Sequence, residues 1–216
     1  MDIQNFIDRS IQNDRRRSNT VNCNNVFDLK DNYREEKEIL SKIKVGNYST
    51  TTTQGDLLER LLKSLFGRIA LISSFSVTNR DTFLGQIDIS LIAIDELIYE
   101  LWGLIEDCPS YSIGECKNYK SEKVSRTEIE KSCWRAGKGG ALSFFIGKDF
   151  TKDATKEIGC FNTIKETIFV KSKGVYIVPF TVDMMDVVIS NDLNFCYFIR
   201  WAVQSSINGM TIANYL

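Results

Sequence analysis

Three charged side chains in the middle of the chain have the types and the spacing of a metal-assisted catalytic site. Glu115 and Lys117 lie two residues apart in the strand-like segment Tyr111–Tyr119, so both side chains project from the same face of that strand. Asp88 belongs to the polar side of an earlier segment in which apolar and polar residues alternate. If the two strands pair, the carboxylates of Asp88 and Glu115 meet beside an ammonium group. Two carboxylates within coordination reach favour a hard cation such as Mg²⁺ or Mn²⁺.

The residues around Glu115 add two further chemical groups to this site. The backbone carbonyl of Cys116 can supply another oxygen ligand, and Lys117 can polarise a metal-bound water or stabilise charge that develops on a phosphoryl group. The spacing acid-x-Lys alone is not specific, because it also occurs at Asp28 and Glu35 in a polar region without strand-like neighbours. The alternative for the whole set is a solvent-exposed polar face with a surface ion pair, which contributes little to stability.

The composition excludes several other classes of catalytic site. The chain has no histidine, which rules out Ser-His-Asp and Cys-His nucleophiles, zinc sites with histidine ligands and bases that use imidazole. With 27 basic and 28 acidic residues, no global positive field indicates binding to nucleic acid. None of the six cysteines forms a C-x-x-C pair, so we expect reduced and mostly buried thiols rather than a zinc site.

The chain has neither a secretory nor a membrane-spanning pattern. The N-terminal segment MDIQNFIDRS lacks the basic and apolar regions of a signal peptide, and no apolar run approaches about 18 residues. We therefore expect a cytoplasmic protein without membrane segments.

The hydrophobic pattern divides the 216 residues into two regions. Residues 1–53 are polar and are predicted to form a largely helical N-terminal extension, whereas residues 54–216 are patterned as a single domain with C-terminal helices. The predicted elements are a charged helix over Asp31–Lys44, a helix over Asp56–Phe66 with Thr53 as N-cap, strands over Ile69–Val77, Gln86–Ile94 and Tyr111–Tyr119, a helix from Ser125 to the glycines that begin at Gly137, a buried parallel strand over Ala141–Ile146, a helix from Thr151, a strand near Val175–Pro179, and helices over Val182–Ile189 and Phe195–Ser206. The order of helix, three strands, helix and strand predicts an α/β core with helical additions at both ends.

Two motifs in this core resemble those of a known superfamily. The segments GQID, which ends at Asp88, and IGECKNY, which contains Glu115 and Lys117, are similar to the motifs of the PD-(D/E)xK nucleases, in particular Mrr-like restriction endonucleases and Holliday-junction resolvases. The likeness covers roughly residues 55–150 and implies a restriction-endonuclease-like αβββαβ core, with a central mixed sheet flanked by helices. Two features depart from the pattern: Ile87 replaces the proline of the name, and the 27 residues from Asp88 to Glu115 require an insertion near Asp95–Ser110.

The resemblance assigns roles to individual residues. It implies that Asp88 and Glu115 are metal ligands, that Lys117 activates water, and that Glu59 on the first core helix is a further catalytic acid. Gln86 precedes Asp88 by two residues on the same face and can contact the site or the scissile phosphate.

The reaction that the resemblance implies is Mg²⁺- or Mn²⁺-dependent hydrolysis of DNA phosphodiester bonds, in restriction, phage defence or DNA processing. This chemistry needs no histidine, which agrees with the composition. Because cleavage of both strands normally needs two sites, we expect a homodimer. Two alternatives stay open: a non-catalytic nucleic-acid-binding or scaffold protein on the same fold, and a nuclease that acts on RNA or branched DNA.

Several other residues have a simple structural interpretation beside a functional one. Lys63 follows Glu59 at the i+4 position, so an ordinary helix ion pair competes with the catalytic role of Glu59. Lys138 lies in a glycine-rich segment that favours a helix C-cap and a turn over a phosphate loop. Basic side chains that either contact the DNA backbone or are simply solvated are Arg15, Arg16, Arg17, Arg126, Lys148 and Lys152. The tryptophans, which we expect in the core or at an interface, are Trp102, Trp134 and Trp201.

Overall fold

Helices and strands alternate along the central part of the chain. The computed structural model describes residues 3–16, 22–46, 51–76, 81–82, 85–95, 97–104, 112–118, 122–139, 142–163 and 177–207. Its helices are α1 (Ile3–Arg16), α2 (Cys23–Val26), α3 (Arg34–Val45), α4 (Thr51–Gly67), α5 (Leu97–Leu101), α6 (Arg126–Gly139), α7 (Lys152–Thr163), α8 (Val182–Ser190) and α9 (Phe195–Ile207). Its strands are β1 (Ile72–Ser76), β2 (Asp81–Thr82), β3 (Gly85–Gln86), β4 (Ile89–Ala93), β5 (Ser112–Lys117), β6 (Leu142–Gly147) and β7 (Ile177–Thr181).

Five of these strands form one mixed sheet in the order β1-β4-β5-β6-β7, and β2 pairs with β3 in a separate hairpin. The pairs β1–β4 and β4–β5 are antiparallel, whereas β5–β6 and β6–β7 are parallel. Since α6 lies between β5 and β6 in the chain, β5, α6 and β6 make the predicted βαβ unit. The predicted α/β class with a mixed sheet is confirmed. The elements α4, β1, β4, β5, α6 and β6 have the predicted order of helix, three strands, helix and strand, with β2, β3 and α5 inserted between them.

Helices cover both faces of the sheet because its central strands are apolar on both sides. All six residues of β6 are buried, as the predicted parallel strand requires. On one face the ring of Phe66 from α4 lies 5.0 Å from the ring of Phe144. On the other face the hydroxyl groups of Ser132 on α6 and Ser143 are 2.8 Å apart. Neighbouring residues of β6 therefore contact helices on opposite sides of the sheet.

The N-terminal helices pack on this α/β core. Ile3 and Ile7 of α1 are buried, and α1 contacts α9. The predicted apolar side of α3 is also buried, and this helix packs against α4 and α8. A fully buried carboxylate on α3, Glu36, accepts hydrogen bonds of 2.7 Å from Nε and Nη2 of Arg68, which follows α4. This buried ion pair links the N-terminal helix α3 to the end of α4, which belongs to the core.

The predicted boundaries fail where the local signal was weak. Helix α4 begins at Thr51, so Thr53 lies inside the helix and its prediction as N-cap is wrong. The predicted strand Gln86–Ile94 is interrupted at Ile87 and Asp88, and only Ile89–Ala93 joins the main sheet. Helix α6 continues through Gly137 to Gly139, beyond the predicted stop, so Lys138 lies in its last turn. Glycine lowers helix propensity without preventing a helix that is packed against a sheet.

The predicted insertion between the paired strands contains a short helix. After β4 the chain forms α5 and then buries the side chain of Trp102 beside Phe66 and Phe144, while residues 105–111 lie outside the described part of the structure. Trp201 is also buried, as predicted, whereas Trp134 is 52% exposed. Within the described parts of the chain, no helix is both long and apolar enough to span a membrane.

The cysteines that the structure describes agree with the expectation of free and mostly buried thiols. Cys23, Cys116 and Cys196 are free and buried, and Cys133 is free and partly buried. The side chains of Cys108 and Cys160 lie outside the described part of the structure.

Candidate functional site

The antiparallel register of β4 and β5 positions the two carboxylates of the candidate site. Ile89 is paired with Gly114. Asp88 directly precedes the first of these residues and Glu115 directly follows the second, so the two carboxylates lie side by side at the same end of the strand pair. Oδ2 of Asp88 accepts a hydrogen bond of 2.7 Å from the backbone N–H of Cys116. This bond fixes the carboxylate of Asp88 against the backbone of β5, the strand that carries Glu115.

Glycine at position 114 permits this close approach of the strands. A Cβ atom at Gly114 would lie 3.3 Å from Cβ of Ile89, which is closer than ordinary van der Waals contact. A side chain at this position would therefore push β4 away from β5 and weaken the contact between Asp88 and Cys116.

Glu115 is buried between two cationic side chains and one anionic side chain. It is 2% exposed, and its Oε1 forms an ion pair with Nη1 of Arg135, which comes from α6. Nζ of Lys117 lies 3.9 Å from the other oxygen, Oε2. Burial, followed by the negative charge of Asp88, raises the pKa of Glu115 to about 7, although both cations lower it in part. Ionisation of this buried carboxylate is therefore less favourable than that of a glutamate in water, in spite of the two cations beside it.

Glu59 approaches the site from the other side of the sheet. It is partly buried on α4, and α4 packs against β5. Burial is the largest cause of the raised pKa of the Cys116 thiol, and the negative charges of Asp88, Glu59 and Glu115 raise it further. The structure therefore brings Glu59 within electrostatic range of Cys116. The thiol of Cys116 belongs to the apolar core, whereas its backbone N–H donates to Asp88.

The other predicted residues differ in how they relate to this cluster. Gln86 belongs to the hairpin strand β3, but its side chain lies outside the described parts of the structure. Arg126 is exposed and forms ion pairs with Glu130 at 2.8 Å and with Glu157 at 3.2 Å. These carboxylates neutralise the charge that the sequence offers to a DNA backbone at this point.

Two further basic residues of the predicted backbone patch follow strand β6. Lys148 and Lys152 are exposed; Lys148 comes directly after Gly147, which pairs with Lys117, and Lys152 begins α7. Arg15 and Arg16 end α1, which packs on α9, and Arg17 is outside the described residues.

Sequence reasoning missed Arg135, because the row of α6 that contains it has only one apolar residue. Ile129, Ser132 and Arg135 recur every three residues on α6, and the first two are buried against the sheet. A basic residue in the same row must reach the sheet surface, where Glu115 is located. Arg135 is therefore the third member of this row and not a surface charge.

The donor set of this cluster matches the coordination preferences of Mg²⁺. Within the described residues, no group of three or more cysteine, aspartate and glutamate side chains converges as a metal site. Mg²⁺ takes one or two carboxylates and keeps several waters, so the two carboxylates of Asp88 and Glu115 agree with this preference, and the carbonyl of Cys116 stays a predicted further ligand. The unfavourable ionisation of Glu115 would be relieved by a divalent cation at the same place.

Comparison with known proteins found no relative of this chain. No family model, no curated protein and no solved structure matches the chain. The likeness to PD-(D/E)xK nucleases therefore depends on the two short motifs and on the order of the elements.

Proposed function

We propose that the chain is a Mg²⁺- or Mn²⁺-dependent endonuclease that hydrolyses DNA phosphodiester bonds, on a restriction-endonuclease-like αβββαβ core. The observation that carries this proposal is the convergence of Asp88 and Glu115 at one end of the β4–β5 pair, with Nζ of Lys117 3.9 Å from Glu115. Two carboxylates and a lysine, on strands of a mixed sheet in this order, are the set that the motif resemblance assigns to catalysis.

Each residue of the cluster has a defined task in this reaction. Asp88 and Glu115 would hold the cation, and the hydrogen bond from the N–H of Cys116 orients Asp88. When bound, the cation polarises a phosphoryl oxygen and acidifies water at the site. Lys117 is 29% exposed in its side chain, so its ammonium group can contact both water and substrate while it remains beside Glu115. It orients the attacking water and offsets negative charge that develops on the phosphoryl group.

The cellular context and the assembly follow from the reaction rather than from the site. We propose a cytoplasmic enzyme of restriction, phage defence or DNA processing that acts as a homodimer, because each chain contributes one such site and a duplex has two strands. Cleavage of linear duplex, four-way junction and RNA substrates in parallel identifies which nucleic acid is preferred.

A second candidate function is a non-catalytic protein that binds nucleic acid or acts as a scaffold on the same fold. The ion pair between Arg135 and Glu115 favours it, because a cationic side chain already neutralises the carboxylate that a metal would need. This alternative predicts DNA binding that EDTA does not change and no turnover of DNA.

Plasmid cleavage in Mg²⁺ or Mn²⁺ tests the proposal directly. We expect nicked and linear products with the natural protein, and a loss of at least about 100-fold in Asp88→Asn and Lys117→Ala. Matched controls on α3 are Glu38→Gln and Lys42→Ala, which change the same residue types at exposed positions. Cleavage at the natural rate by Asp88→Asn and Lys117→Ala would contradict the proposal, as would the absence of cleavage by the natural protein in both cations.

A further inference from the structure

The ion pair between Arg135 and Glu115 places a guanidinium group where a cation would bind. Nη1 of Arg135 contacts Oε1 of Glu115, and Lys117 faces the other oxygen. Glu115 is 2% exposed, whereas the side chain of Arg135 is 25% exposed. A divalent cation that takes the lone pair of Oε1 now used by Arg135 displaces the guanidinium group, which at 25% side-chain exposure can turn toward solvent.

We propose that Arg135 is an anion-binding residue of the nuclease site that is held by Glu115 in the metal-free protein and is released to bind a substrate phosphate when a divalent cation takes its place on Glu115. This inference rests on the proposed function. It adds a residue that the motif resemblance does not assign, and it couples metal binding to substrate binding.

The charges of the cluster support this exchange. The four charged side chains of the cluster are Asp88 and Glu115, which are negative, and Lys117 and Arg135, which are positive. Their sum is 0 without metal, and a divalent cation changes it to +2. The metal-loaded cluster therefore attracts a phosphodiester more strongly than the metal-free cluster, and Arg135 then no longer pairs with Glu115.

The chemistry of arginine suits the proposed binding of a substrate phosphate. Its guanidinium group presents several N–H donors in a planar fork that matches two oxygens of a phosphate, and it stays charged at any physiological pH. Arg135 lies on the last turns of α6, and the helix is held against the sheet by the contact of Ser132 with Ser143. The side chain can therefore change its partner while its backbone stays in place.

A purely structural role for Arg135 predicts the opposite change in metal affinity when this residue is mutated. If the guanidinium group only holds Glu115 in its ligand position, its removal weakens metal binding and substrate binding together. If it competes with the metal, its removal strengthens metal binding and weakens substrate binding. The sign of the change in metal affinity therefore separates the two roles.

The experiment measures metal and DNA binding separately on the full chain. Mn²⁺ affinity is measured by calorimetry in the natural protein, Arg135→Ala, Arg135→Lys and Asp88→Asn, with Lys131→Ala on the exposed side of α6 as the matched control. Binding of a short DNA duplex is then measured with Ca²⁺, which also takes oxygen ligands, and again with EDTA.

We expect Arg135→Ala to bind Mn²⁺ about tenfold more tightly than the natural protein and to bind DNA about tenfold more weakly in Ca²⁺, with no difference in EDTA. Arg135→Lys keeps the charge and loses the fork, so we expect nearly natural Mn²⁺ affinity with weaker DNA binding in Ca²⁺. This second variant decides the question if Arg135→Ala does not fold. The control Lys131→Ala should match the natural protein in every measurement.

Three results would contradict the inference. It fails if Arg135→Ala binds Mn²⁺ more weakly than the natural protein, or if DNA binding in Ca²⁺ is unchanged in both Arg135 variants. If Asp88→Asn loses Mn²⁺ binding while one of these results is obtained, only the role of Arg135 is wrong and the proposed metal site stands. If the natural protein and Asp88→Asn bind Mn²⁺ equally or not at all, the proposed function fails together with the inference.

Discussion

Oδ2 of Asp88 accepts a hydrogen bond of 2.7 Å from the backbone N–H of Cys116, which joins the turn before β4 to the middle of the candidate site on β5. The bond connects residues 28 positions apart in the chain. It also gives the interruption of the predicted strand at Asp88 a structural role. A residue inside the ladder would offer its backbone to β5, whereas Asp88 offers its carboxylate.

The raised pKa of Glu115 predicts that metal-free stability depends on pH. An unfolded glutamate ionises near pH 4.5, whereas the folded carboxyl group ionises near pH 7, mainly because it is buried and next because it lies beside Asp88. The folded state therefore holds the extra proton between these two values, and stability contributed by the neutral form is lost as the pH rises through 7. Relative to Glu115→Gln, the natural protein should lose about 2.5 kcal/mol between pH 5 and pH 8.5.

Urea unfolding in EDTA at several pH values measures this difference. The comparison with Glu115→Gln cancels the contribution of every other group whose pKa the variant leaves unchanged, and any constant effect of leaving Arg135 without its partner shifts the two curves apart equally at all pH values. A difference in unfolding free energy that does not vary with pH would show that the pKa of Glu115 is not raised in the folded protein.

A metal at Asp88 and Glu115 predicts stabilisation of the folded chain by Mg²⁺. A ligand that binds only the folded state at ten times its dissociation constant adds about 1.4 kcal/mol to the free energy of unfolding. We expect this gain in the natural protein and its loss in Asp88→Asn, because that variant removes one of the two carboxylate ligands. The control Glu38→Gln, which is exposed on α3, should retain the full gain. Equal stabilisation of all three proteins would indicate nonspecific binding of Mg²⁺.

The order and type of the elements could be predicted because each has a clear local signal. The alternation from Ile87 to Leu91, the capping-box pattern at Ser125 and the continuous apolar run before Ile146 correspond to β4, α6 and β6. In the structure, Ser125 donates from its backbone N–H to Glu128, as the capping box requires. These signals involve residues within one or two turns, so they do not depend on the rest of the fold.

The partners of the site could be predicted only in part, because they depend on register and on packing between distant elements. The same-face relation of Glu115 and Lys117 follows from the period of a strand. Their relation to Asp88 required the pairing of Ile89 with Gly114, which the sequence allowed but did not specify. Arg135 required knowledge of which side of α6 faces the sheet, and its row contained too few apolar residues to reveal it.

Replacement of Gly114 by valine is expected to destabilise the chain by about 1–3 kcal/mol, because the added Cβ would meet Cβ of Ile89 at 3.3 Å and the branched methyl groups add to the crowding. The same change should weaken Mn²⁺ binding, since it separates the strands that carry Asp88 and Glu115. Chemical unfolding and calorimetry measure the two effects.

Gly55 provides a control of opposite sign for this prediction. It lies within α4, and a Cβ added there would meet nothing within 4 Å. Gly55→Ala should therefore stabilise the chain by up to about 1 kcal/mol, as expected for a helix position, and leave metal binding unchanged. If Gly114→Val had the same stability and Mn²⁺ affinity as the natural protein, the close approach of β4 and β5 would not be what positions the carboxylates.

The buried pair of Glu36 and Arg68 is expected to be the strongest single link between the N-terminal helices and the core. Burial alone raises the pKa of Glu36, but hydrogen bonds from Arg68 and from Ser64 outweigh it and leave the pKa below its ordinary value. Arg68→Met would leave a fully buried carboxylate without its cation, so we expect a loss of about 3–5 kcal/mol in the free energy of unfolding at pH 7. The matched control is Arg60→Met, whose exposed ion pair with Glu35 should contribute about 0–1 kcal/mol. The loss in Arg68→Met comes from the unpaired charge that remains on Glu36. The double variant Glu36→Gln with Arg68→Met removes this charge and should recover part of the loss. A loss in Arg68→Met no larger than in Arg60→Met would show that the N-terminal helices are held by their apolar contacts alone.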